Sequence, residues 1–118
     1  MPTCYVTVSE DCRPLTADDR LAIRIAVAEG LDSKSRRLDF THVVLRENVG
    51  RRSDMLGNVE LEVFCQFFVR RFFDRDRRAN RISTEVGRLL QGNCATWINM
   101  TVVGYSRVTV AGESFYSD

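Results

Sequence analysis

Apolar residues along this chain recur with two periods, and the order of the periods repeats. Residues 2–8 (PTCYVTV) are rich in β-branched and aromatic types and predict a first strand. A polar loop containing Pro14 follows. Thr16 then stands three residues before Asp19, the pattern of a capping box. Leu21, Ile25 and Ala28, with Ala22 and Ala26 beside them, continue at helical spacing, and Gly30 predicts the helix C-terminus. A second strand is predicted over about 38–46, and a loop over about 47–57, where two glycines, Asn48 and Asp54 fall.

A third strand, about 58–69, alternates clearly. Val59, Leu61, Val63, Cys65, Phe67 and Val69 share one face. Asp74 is placed to cap a second helix running through Gln91, with Ala79, Ile82, Val86 and Leu89 on one stripe, arginines on the other, and Gly92 as its end. A fourth strand is predicted over about 95–103, and a short strand over 107–111 completes a terminal hairpin within about 104–118. The elements start near 2 and 59, 17 and 75, and 38 and 95, offsets of 57, 58 and 57 residues. The expected fold is therefore α/β (α+β). One domain, residues 1–118, holds two consecutive β-α-β units, about 2–46 and 58–103, in a four-stranded mixed sheet with two helices on one face.

Such a sheet leaves its other face bare. Tyr5, Phe64, Phe68 and Trp97 would lie there among Glu60, Glu62, Gln66 and Asn99. An exposed aromatic patch of that size marks an interface, so an oligomer is expected, with a homotrimer as the specific form.

Composition narrows the function classes. Apolar residues make up 44% and charged residues 28%, the balance of a globular domain. The net charge of +1 provides no field that would draw the protein to nucleic acid or membrane. Arginines on the second helix (Arg75, Arg77, Arg78, Arg81, Arg88) are diluted by Asp74, Asp76 and Glu85 and read as a solvated face. No apolar run reaches the length of a membrane span and no signal peptide is visible. Cys4, Cys12, Cys65 and Cys94 lack C-x-x-C spacing, which suggests reduced thiols, a cytoplasmic location and no metal site. Of 17 cationic residues only Lys34 is lysine, and arginine's planar fork suits carboxylates. His42, the only histidine, falls inside the predicted second strand without a nucleophilic partner.

Pro2 opening a strand directly after Met1, the opening MPTCYVTVSEDCRPLTADD, the doubled β-α-β pattern and Trp97-Ile98-Asn99 in the fourth strand together resemble the tautomerase superfamily, over nearly the full length. The opening is similar to that of members like cis-3-chloroacrylic acid dehalogenase, and the aromatic-Ile-Asn segment to that of the macrophage migration inhibitory factor branch. The resemblance implies trimers or hexamers, no metal or organic cofactor, and catalysis by the amine of Pro2 once Met1 is removed. The expected reaction is keto–enol tautomerisation of a small 2-oxo acid or unsaturated carboxylate. Dehalogenation, hydration or decarboxylation of a similar acid, or a non-catalytic binding or signalling role on the same scaffold, are the alternatives.

The resemblance also suggests site residues. Trp97 and Asn99 would line the site. Dehalogenase-like members hold the substrate carboxylate with Arg-x-x-Arg near the end of the third strand. This chain has Arg70-Arg71 there: Arg70 fits if the strand is aligned, and Arg71 if the helix is aligned. Where the superfamily places a lysine or histidine after the first helix, counting from the proline gives Leu31, and Lys34, Arg36 or Arg37 would have to reach in instead.

Overall fold

A computed structural model describes residues 2–34, 37–66, 73–101, 106–110 and 113–117. Strand β1 (Thr3–Ser9) leads to helix α1 (Ala17–Leu31) and strand β2 (Val44–Gly50). Strand β3 (Val59–Gln66), helix α2 (Arg75–Leu90) and strand β4 (Cys94–Thr101) form the second unit. Strands β5 (Ser106–Val110) and β6 (Glu113–Ser117) pair as an antiparallel hairpin.

The sheet order is β2-β1-β3-β4. Within each unit the strands are parallel, and the units meet along an antiparallel β1–β3 seam. The expected mixed sheet is therefore present. Its helix-side face carries Cys4, Val6 and Val8 from β1 and Val59, Leu61, Val63 and Cys65 from β3, all at most 7% exposed. Ile82 and Val86 of α2 close over them, as their spacing predicts. Phe67, Phe68 and Val69 lie outside the described residues.

Helix α1 starts where its capping box predicts. Thr16 Oγ1 accepts from Asp19 N at 3.1 Å and Asp19 Oδ2 accepts from Thr16 N at 2.9 Å. Its buried stripe differs from the expected one: Ile23, Val27 and Leu31 are fully buried, whereas Leu21 and Ile25 are 40% and 39% exposed. The helix is apolar on several sides, so spacing alone does not select the inward one.

The C-terminal ends of both helices are also corrected. Gly30 does not end α1. The helix runs on to Leu31, with Asp32 N donating to Ala28 O at 2.8 Å. Gly30 instead faces α2, where a Cβ would lie 2.4 Å from Ile82 Cγ1. Glycine here sets how closely the two helices approach. Gly30→Ala should therefore lower the urea midpoint. Overpacking costs about 1–3 kcal/mol, more than the roughly 0.5–1 kcal/mol that alanine gains over glycine inside a helix. At the end of α2 the left-handed residue is Gln91 (φ 54°), and Gly92 follows it, donating from its N to Gly87 O at 3.0 Å. Asp74 precedes α2 but makes no side-chain cap; its carboxylate is taken by arginines.

The second strand begins at Val44 rather than about 38 and runs to Gly50, into the predicted loop, where a 3-10 turn over Arg52–Asp54 follows. Asp39 is responsible. Its side chain accepts from Thr41 N at 2.8 Å and caps a 3-10 turn over Phe40–His42. Such local side-chain bonding competes with a strand ladder. His42 is therefore in a turn and not in a strand. The repeat is also unequal in length: residues 32–43 join α1 to β2, but only residues 91–93 join α2 to β4.

Candidate functional site

Strand directions decide which residues meet. β1 and β2 begin, and β3 and β4 finish, at one end of the sheet. The C-terminus of α1 and the N-terminus of α2 lie at that same end. Pro2 stands there, buried, one residue before β1, and its carbonyl accepts from Val44 N at 2.9 Å. Thr3 is level with Val44 on one side and Phe64 on the other. Burial, and then the charge of Cys94, push the Cys4 thiol up to about 12, so it favours the protonated form.

Lys34 is at the same end. It is exposed, makes no ion pair among the described residues, and lines an open cleft of about 470 Å³ with Ser33, Phe73, Asp74, Arg77 and Arg78. Arg78 organises this cleft. Its Nε donates to Asp74 Oδ1 at 2.8 Å, while Nη1 donates to the carbonyls of Gly30 and Asp32 at 2.9 and 3.0 Å. α1 has no basic residue in its own last turn, so Arg78 of α2 satisfies its terminal carbonyls and meets the negative end of its dipole. Arg77 Nη2 donates to Asp74 Oδ2 at 2.9 Å. Burial acts to raise the Asp74 carboxyl, but the hydrogen bonds and charges of Arg78 and Arg77 together hold it below its ordinary value.

Sheet rows place the remaining expected residues. Tyr5, Glu62 and Trp97 form one row across β1, β3 and β4, and Thr3, Phe64 and Asn99 the next. These rows face away from the helices. Tyr5, Phe64 and Trp97 are 40%, 39% and 41% exposed, and the Tyr5 ring meets Phe64 edge-on with centroids 5.6 Å apart. Pro2 alternates with Thr3 and so belongs to the helix side of the sheet. Within one chain, then, Pro2 and Lys34 share an end of the molecule, whereas Trp97 is on the opposite face of the sheet. Arg70, Arg71 and Arg36, and the side chain of Asn99, lie outside the described residues. Leu31 is fully buried in the core, so its position offers no polar group to a site. Arg37 pairs with Asp32 at 3.1 Å.

Spacing did not single out Asp39, Thr41 and His42 as a group. Asp39 N donates to His42 Nδ1 at 3.0 Å, and the Asp39 carboxylate also accepts from Thr41 Oγ1. The Asp-x-Thr pattern is the signal that would have found the turn. No cluster of metal-ligating residues occurs among the described residues, and no helix among them is long and apolar enough to cross a membrane. A second cleft, about 560 Å³, lies at the other end of the sheet around the Arg20–Glu47 ion pair.

No family model and no curated protein matches the chain. Solved structures do share its fold. Malonate semialdehyde decarboxylase superposes with a TM-score of 0.60 at 8% identity, over 92% of each chain. A macrophage migration inhibitory factor-like protein from Entamoeba histolytica gives 0.56 at 12% identity, over 97% of this chain and 98% of that one. FG41 malonate semialdehyde decarboxylase inhibited by 3-bromopropiolate gives 0.51 at 17% identity, over 84% of this chain and 81% of that one.

Proposed function

We propose that this chain, which has the tautomerase fold, is an enzyme that interconverts the keto and enol forms of a small 2-oxo acid or unsaturated carboxylate, with the amine of Pro2 as acid and base. The observation that carries this reading is the position of Pro2, at the mouth of the sheet and at the same end as Lys34, Arg77 and Arg78.

With Met1 removed, Pro2 would present a secondary amine at that mouth. Neutral, it takes a proton from the carbon beside a carbonyl; charged, it gives one back. Burial and nearby cations both disfavour the ammonium form and so favour the base. Lys34, with Arg70 or Arg71, would hold the substrate carboxylate, and a bidentate arginine pair is stronger than a neutral hydrogen bond. No metal or organic cofactor is required by this chemistry. Decarboxylation or hydration of a similar acid is the second reading, favoured by the likeness to malonate semialdehyde decarboxylase, whose structures are described in connection with decarboxylase and hydratase activities. Following the ultraviolet absorbance of the enol of phenylpyruvate with the processed chain tests the first reading, and release of carbon dioxide from a 3-oxo acid tests the second.

Trp97 and Asn99 would join the site across a subunit boundary. Tyr5, Phe64 and Trp97, exposed on the face of the sheet away from the helices, and the edge strands β2 and β4, which have no outer strand partner among the described residues, support a homotrimer. Sedimentation equilibrium should return three times the chain mass at micromolar concentration. A monomer there would remove the shared site.

A further inference from the structure

We propose that His42 is a second catalytic group at the Pro2 end, donating a hydrogen bond from Nε2 to the substrate oxygen on which charge develops. This rests on reading Pro2 as the base.

The placement follows from the backbone. His42 ends the 3-10 turn that delivers the chain to β2, and Val44, two residues further on, donates to the Pro2 carbonyl at 2.9 Å. Two residues of chain span at most about 7 Å, within the reach of a side chain and a small substrate. The 12-residue connection 32–43, long where its counterpart in the second unit is short, brings the only histidine to the proline's end of the sheet.

The hydrogen bonds then decide what the imidazole can do. Asp39 N donates to His42 Nδ1 at 3.0 Å. An amide N–H has only a proton to give, so Nδ1 presents its lone pair and the neutral ring carries its proton on Nε2. Asp39 Oδ1 is 3.3 Å from the same Nδ1. Hydrogen bonds from the Thr41 side chain and then its backbone hold Asp39 below the usual carboxylate range, which keeps a negative charge beside the ring. Nε2 has no partner among the described residues, and the side chain is 45% exposed. The ring is thus arranged as a donor and not as a base.

Each step balances. A C–H bond beside the carbonyl breaks and its proton moves to the Pro2 nitrogen. The C–H electron pair becomes the new C=C bond, and the carbonyl π pair moves to oxygen. Nε2–H stabilises that oxygen without leaving the ring, and Pro2 returns its proton to the oxygen to complete the enol. A hydrogen bond formed mainly in the transition state acts on kcat more than on KM.

Because His42 is the only histidine, ring-nitrogen NMR reports on one residue. The neutral ring should show the Nε2–H tautomer. Oxalate, a planar mimic of the enolate of a 2-oxo acid, should move the Nε2 resonance far more than Nδ1, in both the processed and the Met1-retaining chain. In turnover, His42→Ala should lower kcat about 100-fold with KM little changed, as when one oxyanion donor is removed. His42→Gln, whose amide can also donate, should recover part of the loss. An Nδ1–H tautomer, an Nε2 signal unmoved by oxalate, or unchanged kcat in a folded His42→Ala protein would overturn the proposal. A processed wild-type chain that fails to exchange protons although oxalate moves Nε2 would instead count against Pro2 as the base and leave the donor role of His42 standing.

Discussion

A chain that keeps Met1 should turn over a 2-oxo acid far more slowly than the same chain with Met1 removed. The difference is a single functional group. With Met1 in place the Pro2 nitrogen belongs to a tertiary amide, whose lone pair is delocalised into the carbonyl and is not basic. Removal frees a secondary amine at a buried position at the end of the sheet. Proton transfer by a positioned group contributes roughly 10²–10⁴-fold, so the processed chain should exceed the unprocessed one by about that factor. Pro2→Ala leaves a primary amine after processing and should retain part of the rate. The pH dependence follows from the role as base. An ordinary α-amino group titrates at roughly 7.7–8.0 and proline's is more basic. Burial and the cations around the cleft disfavour the ammonium form, so the rate of proton abstraction should fall as pH drops through an apparent value nearer neutrality. Intact mass and enol absorbance on the two forms settle the matter, and equal turnover by both would exclude the amine.

Arg78→Ala should cause the largest loss of stability among single surface-proximal substitutions, about 3 kcal/mol by chemical denaturation. Its side chain is only 12% exposed and serves three acceptors at two helix ends: Asp74 at the start of α2, and the carbonyls of Gly30 and Asp32 at the end of α1. Truncation leaves those carbonyls without their donor and strips Asp74 of its better-buried partner, and breaking such a pair is costly for the group left behind. Acid separates the charge contribution from packing. The folded-state value of Asp74 is depressed, so its stabilisation is fully present above the ordinary carboxylate value and is lost as pH falls through the folded one. The deficit of the alanine variant should therefore shrink in strong acid. Arg78→Lys keeps the charge but not the fork that spans two helices, and should recover only part of the stability. A denaturation midpoint within error of wild type for Arg78→Ala would show that water satisfies these carbonyls equally well.

Much of this architecture was legible in the sequence, for reasons that differ by element. β3 announced itself because one face is buried and the other is not, which forces strict alternation from Val59 to Cys65. The start of α1 was legible because Thr16 and Asp19 satisfy each other locally. Residues 38–44 misled, because Leu38 and Val43 are apolar for burial in a connection while Asp39 bends the backbone between them. Gly30 misled because a glycine near a helix end has the same appearance whether it caps the chain or makes room for Ile82. At the candidate site, Pro2 could be located from its place before the first strand. His42 could not, since its meaning depends on the turn that sets it two residues from the partner of Pro2. Arg78 was hidden among five arginines of one helix, and only the packing of α2 on α1 separates it from its solvated neighbours.

The two β-α-β units run in opposite directions along the β1–β3 seam, so rotating one onto the other exchanges the ends of the sheet. The counterpart of the start of β1 is then the start of β3, near Asn58. That position lies within continuous backbone, where every nitrogen is an amide. Near-symmetry of fold therefore cannot become symmetry of chemistry: whatever the amine of Pro2 does, each chain does it once, and the stoichiometry of an irreversible label aimed at that amine should be one per chain and never two.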